Sequence, residues 1–93
     1  PDQLQYPLAQ IGLASSLEGK KEYAKAIAVY KELIEGTTDF PLFNVYLSLS
    51  HCHELNNDPN GALQVLREMK NRFRAHEELE QVNREIQKLS AKV

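Results

Sequence analysis

Apolar residues recur every three or four positions along the chain, a spacing that is typical of helices with one buried face. Leu8, Ile11, Ala14 and Leu17 have this spacing in the first segment. Pro7 suits the first turn of a helix, because a residue there has no helical partner for its N–H. The pattern therefore predicts a first helix over about residues 7–19.

The next two segments show the same spacing and have clear boundaries. The second apolar face covers residues 23–34, and Gly36 is expected to end this helix as a left-handed cap. Asp39 is expected to cap a third helix, over about residues 40–55, with Pro41 in its first turn. Because this third helix is apolar around much of its circumference, we expect neighbours to cover it on two sides.

Two further helices complete the prediction. The Asn-Asn-Asp-Pro run at residues 56–59 indicates a turn that ends in a helix cap, and a fourth helix follows it. A break is expected within residues 71–74, although that stretch contains neither Gly nor Pro. A final helix is predicted from about Ala75. Since no run alternates as a strand does, the sequence predicts an all-α fold of about five helices.

The second and fourth helices carry similar residues at an offset of 36 positions, and so do the first and third. The matched pairs are Leu13 with Leu49, Ala14 with Ser50, Ala26 with Ala62, and Tyr30 with Leu66. Small residues at Ala26 and Ala62 allow two helices to approach closely, and a bulkier side chain there would overpack the crossing by roughly 1–3 kcal/mol. Repetition of this kind indicates stacked helical hairpins.

A helical hairpin of this length, with a small residue at the crossing, resembles the tetratricopeptide repeat (TPR), whose usual period is 34. The resemblance implies an α-solenoid of antiparallel hairpins in one domain over residues 1–93, with repeat one at about 7–36, repeat two at about 41–73 and a capping helix at about 75–92. The repeat's terminal Pro is replaced by Thr38 and Arg74. Eight residues match structural positions of the repeat: Leu13, Ala14, Ala26, Tyr30, Tyr46, Leu49, Ala62 and Leu66.

In TPR proteins the first helix of each repeat lines a groove that binds a partner. The resemblance therefore implies a groove lined by Leu8, Ile11, Ser15, Asn44, Leu47, Ser48 and His51. The same alignment adds Gly12, Glu18 and Glu54. Family members that hold a peptide's terminal carboxylate use Lys, Arg and Asn at such positions, whereas this chain has Ile11 and Ser15. We therefore expect an apolar surface with polar spots that suits a protein or peptide partner.

Composition narrows the chemistry further. A net charge of −2 provides no global field for nucleic acid, and acidic neighbours dilute the basic residues at 67–74. We therefore do not expect a nucleic-acid partner. No apolar stretch approaches the roughly 20 residues of a membrane span, so direct membrane contact is not expected either. One cysteine excludes an intrachain disulfide.

His51, Cys52 and His53 are the residues most suggestive of a metal or catalytic site. Side chains two positions apart point to opposite sides of a helix, so His51 and His53 cannot share a metal ion, and nothing orients His76 toward them. A cysteine within a packed helix is typically an inert core residue. We expect Cys52 and His53 at packing positions, His51 on the inner surface, and no catalytic, cofactor or metal site.

The sequence thus predicts a non-enzymatic interaction or scaffold module that binds a peptide or helical segment. An alternative is a self-associating domain that forms a homodimer through its repeat ends or its last helix, within a larger and membrane-anchored bacterial protein. The last helix has a heptad seam, formed by Leu79, Val82, Ile86, Leu89 and Val93, which either docks on the fourth helix or makes such a contact with a second chain. The partner and the compartment, cytoplasmic or periplasmic, are left open.

Overall fold

The computed structural model describes residues 5–36, 42–73 and 75–92, with the side chains of all of them except Gln5 and His76. These ranges form five helices and no strand, which confirms the all-α prediction. The helices are α1 (Gln5–Gly19), α2 (Tyr23–Gly36), α3 (Phe43–Leu55), α4 (Pro59–Arg72) and α5 (His76–Ser90).

The end of α2 and the start of α3 differ from the prediction. Gly36 is the last helical residue of α2, and no glycine in the described ranges has a positive φ, so the predicted left-handed cap is wrong. The helix continues through Gly36 with a negative φ instead of reversing there. The α3 helix begins at Phe43, later than the predicted start near residue 40, and Leu42 is its N-cap residue. The predicted roles of Asp39 and Pro41 lie outside the described residues.

The left-handed residues lie in the turns within the two hairpins, and they are 36 positions apart. Lys21 has a φ of 61° in the turn between α1 and α2, and Asn57 has a φ of 60° in the turn between α3 and α4. In both turns this residue donates its N–H to the carbonyl three positions earlier, and the next residue donates to the carbonyl five positions earlier. The bonds are Lys21 N to Glu18 O (2.9 Å), Glu22 N to Leu17 O (2.9 Å), Asn57 N to Glu54 O (3.1 Å) and Asp58 N to His53 O (2.8 Å). The offset seen in the sequence is therefore also an offset in backbone geometry.

The principal contacts join helices that are consecutive in the chain. As predicted, α3 is covered on two sides, by α2 and by α4, and α5 packs against α4. The layered arrangement is flat, with principal extents of 43 × 31 × 17 Å. Ala26 and Ala62 are both fully buried, as expected of small residues at helix crossings. The large side chains buried around them include Leu33, Leu66 and Met69.

The break between α4 and α5 is fixed by an aromatic contact. Phe73 leaves the helix with extended backbone angles (φ −110°, ψ 121°). Its ring packs edge-on against Phe43 and Tyr46, with centroid distances of 5.3 Å and 5.6 Å. This ring anchors the chain to α3, which explains how α4 ends without Gly or Pro.

The start of α4 is held by a small polar cluster. Asp58 caps the helix by accepting the N–H of Gly61 at 3.0 Å, and Pro59 occupies the first turn. The buried His53 ring contacts the same carboxylate, with 3.1 Å between Nδ1 and Oδ2. A Cβ at position 61 would lie 2.7 Å from His53 Nδ1 and would also overlap the Asp58 carboxylate. Only glycine fits under this cap.

We expect Gly61→Ala to destabilise the protein, although alanine is the better helix former by about 1 kcal/mol. The new methyl group displaces both the Asp58 cap and the His53 ring, so the net loss in the free energy of unfolding should be about 1 kcal/mol or more. Urea unfolding measures it. The matched control is Gly12→Ala in α1, where a Cβ meets nothing within 4 Å and a gain of roughly 0.5–1 kcal/mol is expected. A stabilising Gly61→Ala would contradict this account.

Candidate partner-binding surface

An open cleft of about 260 Å³ lies where the last turn of α1, the inner face of α3 and the middle of α5 come together. Its lining combines two leucines with polar and acidic side chains. The lining residues are Glu18, Leu47, Ser48, Ser50, His51, Glu54, Gln81, Glu85 and Leu89. Seven of these nine residues are polar or charged, and of the two leucines Leu47 is half-buried whereas Leu89 is 2% exposed.

Three of the seven predicted groove residues line this cleft: Leu47, Ser48 and His51. All three lie on α3. The remaining four lie outside the lining: Leu8, Ser15 and Asn44 are exposed, and Ile11 is half-buried against the core. The structure therefore brings together the α3 part of the predicted set, with Glu18 and Glu54 beside it.

The α5 helix supplies a wall of the cleft that the sequence prediction missed. Val82 and Leu89 are buried, so the predicted heptad seam packs within the chain; Val93 lies outside the described residues. Gln81 and Glu85 lie four positions apart beside this seam and face the cleft. The spacing of Gln81 and Glu85 was the sequence signal for this wall. It could be assigned to the cleft only if α5 were known to lie beside α3.

The cleft is acidic. Lys92 reaches from the end of α5 to Glu54, with 2.6 Å between Nζ and Oε1, and this hydrogen bond lowers the pKa of the Glu54 carboxyl. Glu85 pairs more loosely with Lys88 at 3.6 Å. Three carboxylates therefore border a small space, and a partner group placed there meets net negative charge.

Glu18 connects the cleft to the core. The buried Tyr30 hydroxyl donates a hydrogen bond of 2.5 Å to Glu18 Oε2. Burial, together with this bond to a carboxylate, raises the pKa of Tyr30 to about 12. Burial also raises the pKa of the Cys52 thiol to about 12, with a further contribution from Glu18. Both groups are held in their neutral forms.

The predicted packing roles of Cys52 and His53 are confirmed, since both are buried, whereas His51 is exposed and lines the cleft. The His76 side chain lies outside the described set. Within that set, no three His, Cys, Asp or Glu side chains are grouped to hold a metal ion. The described helices also include none that is long and apolar enough to cross a membrane.

One of the basic residues near the end of α4 contacts α3. Arg72 donates to the Tyr46 hydroxyl at 3.2 Å, and its guanidinium carbon lies 5.6 Å from that ring's centroid. Arg67 and Lys70 are exposed, and Arg74 lies outside the described residues. The best-placed cation of the group therefore serves the packing of α4 on α3.

A second cleft, of about 420 Å³, lies between α2 and α4 over the other face of α3. Its floor includes Leu49 and Tyr46, and the polar pair of His53 and Asp58 closes one end. None of the predicted groove residues lines it. The prediction that a partner binds on the inner face of α3 therefore concerns the smaller cleft alone.

The burial of the Tyr30 hydroxyl and its hydrogen bond to Glu18 predict that the free energy of unfolding falls at alkaline pH. Because the folded pKa of Tyr30 lies above its ordinary value of 10, the stabilisation is complete below pH 10 and is lost as the pH rises through about 12. We expect Tyr30→Phe to lower the free energy of unfolding by about 1–2 kcal/mol at pH 7–9, with a smaller difference above pH 10. Denaturant unfolding across this range measures it. Tyr23→Phe, at the start of the same helix, is the control, and an equal effect of both variants would contradict the assignment.

The Cys52 environment predicts a protected thiol. A fully buried thiol with a raised pKa presents almost no thiolate at neutral pH, so alkylation by iodoacetamide should proceed only through unfolding. The labelling rate should rise by orders of magnitude in denaturant. An exposed control is the variant Ala24→Cys in a Cys52→Ala background, which should react at the rate of a free thiol. Rapid labelling of folded wild-type protein would refute the buried placement.

No protein-family model matches this chain, and comparisons with curated proteins and with solved structures found no match either.

Proposed function

We propose that this chain is a non-catalytic protein–protein interaction module of the TPR type, which binds a peptide or helical segment of a partner in the cleft between α3 and α5. One observation carries the proposal. The α3 residues that the repeat pattern assigns to a groove, Leu47, Ser48 and His51, line an open cleft. Such a surface, with an apolar side chain among polar and charged groups, suits recognition of a segment that carries both kinds of group.

The TPR assignment is supported by the paired hairpins. The turns at Lys21 and Asn57 repeat at the same offset as the buried crossing residues Ala26 and Ala62. A departure is the offset of 36 itself, which is two residues longer than the usual repeat. The α2 and α4 helices both begin and end at positions 36 apart, so the offset is kept along their whole length.

The charges of the cleft suggest the partner's chemistry. Glu18 and Glu85 line the cleft together with the half-buried Leu47. A segment with an apolar anchor next to Lys or Arg would place its apolar group on Leu47 and its cation near the carboxylates. We therefore propose a basic amphipathic segment as the partner, bound without a cofactor.

A non-catalytic role also agrees with what the polar residues do. Tyr30 and Glu18 bind each other, His53 supports the Asp58 cap, and Cys52 is sealed in the core. These side chains stabilise the fold and hold the cleft in shape, whereas a nucleophile would need access and a neighbouring base.

The test is selection of binders from a phage-displayed library of 16-residue helical peptides, followed by fluorescence anisotropy with the enriched peptides. We expect Leu47→Asp to weaken binding at least tenfold, because it replaces the half-buried leucine of the cleft by a charged side chain. The control is Leu55→Asp, an exposed leucine at the end of the same helix, which should change the affinity less than twofold. His51→Ala, at an exposed site, provides a second cleft variant that leaves the core intact. Equal affinities of Leu47→Asp and wild type would refute the proposed surface.

A further inference from the structure

The α1 helix has an exposed face that is unusually apolar. Thirteen consecutive residues, 5–17, include no Asp, Glu, Lys or Arg. Yet Leu8 is 58% exposed, Leu13 is 50% exposed and Tyr6 is 44% exposed. The open side of a surface helix normally carries charged and polar residues. Depletion of charge around large apolar side chains is instead the composition of an interface core.

Comparison with α3 shows what such a face does when it is covered. We define the α1 outer face as Tyr6, Ala9, Gly12, Leu13 and Ser16, all of which are exposed. The residues 36 positions later in α3 are Leu42, Val45, Ser48, Leu49 and Cys52. Four of these are at most 4% exposed, and Ser48 is half-buried. The same face that is packed in α3 is therefore open in α1.

We propose that the α1 outer face binds the α1 outer face of a second copy of this chain, giving a weak symmetric dimer. The surface is separate from the partner-binding cleft, which involves α1 only through Glu18.

The shape of the face supports close packing of two helices. Ala9, Gly12 and Ser16 lie three and four positions apart and form a valley of small side chains on one side of the helix. Leu8 and Leu13 flank this valley. A Cβ at Gly12 would meet nothing within 4 Å, so the fold of a single copy does not require glycine there. The backbone of a second α1 helix that crosses at this point would require a residue without a side chain there.

Charge and area favour a second copy as the occupant. Since the face is uncharged, two copies approach without local repulsion despite the net charge of −2. In each copy the apolar stripes of α2, α4 and α5 are covered by neighbouring helices, which leaves α1 as the apolar helix face available within the described ranges. Two helices of this length bury on the order of 1,000 Å², the lower bound for a specific interface, so a weak dimer is expected.

Sedimentation equilibrium from 10 µM to 1 mM tests the proposal. We expect a monomer–dimer equilibrium with a dissociation constant of roughly 10⁻⁴ M. Leu13→Glu should weaken dimerisation at least tenfold, because two carboxylates would be brought together without partners. Leu55→Glu, with a similarly exposed leucine outside the face, is the matched control and should dimerise as wild type does. A wild-type monomer at 1 mM, or equal effects of the two variants, would overturn the proposal.

Gly12→Ala separates loss of association from loss of folding. This variant should raise the stability of the monomer, yet its added methyl groups lie at the crossing and should weaken the dimer several-fold. Circular dichroism at 10 µM and sedimentation at 1 mM measure the two effects on the same protein. Unchanged or tighter dimerisation of Gly12→Ala would show that the helices do not cross there.

Discussion

The architecture depends on one constraint: no helix here can bury its apolar residues without a neighbour. The α3 helix meets this constraint on two sides, and its buried side chains contact the preceding and the following helix at once. Close approach at Ala26 and Ala62 makes both contacts possible. Because the principal contacts join successive helices in this flat arrangement, α1 and α5, at its two ends, are each covered mainly by one neighbour. The clefts and the exposed leucines both follow from that limited coverage.

Features governed by periodicity could be predicted from the sequence. The five helices, the small buried residues Ala26 and Ala62 and the offset of 36 follow from local preferences and from side-chain volume, and the structure shows each of them. The start of α3 was predicted near residue 40, whereas the helix begins at Phe43. The exposure of Leu13 could not be predicted, because its sequence context matches that of the buried Leu49 and the difference lies in which neighbour is present. Gln81 and Glu85 were missed for a related reason: they line the cleft because α5 lies beside α3, and a contact between helices that are not consecutive leaves no mark in the local periodicity. The misassigned Gly36 shows that a glycine near a helix end indicates a boundary without fixing the backbone conformation.

Glu18 occupies a position where stability and recognition overlap. Its carboxylate accepts the Tyr30 hydroxyl from the core while it borders the open cleft. Its counterpart 36 positions later, Glu54, faces the same cleft but binds Lys92. One carboxylate is thus committed to holding α1 on α2, and the other to holding the end of α5. Substitution of either residue would change the shape of the cleft as well as its charge.

The Lys92–Glu54 ion pair has a consequence for the behaviour of the molecule over time. It is formed by the last described turn of the chain, where helices ordinarily fray, and its acceptor lies in the cleft wall. A cation that enters the cleft competes with Lys92 for Glu54, so occupancy and fraying of the α5 terminus are thermodynamically linked. The rate of amide exchange near Ser90 would then change when the cleft is occupied, so the end of α5 would respond to binding although it need not contact the bound group.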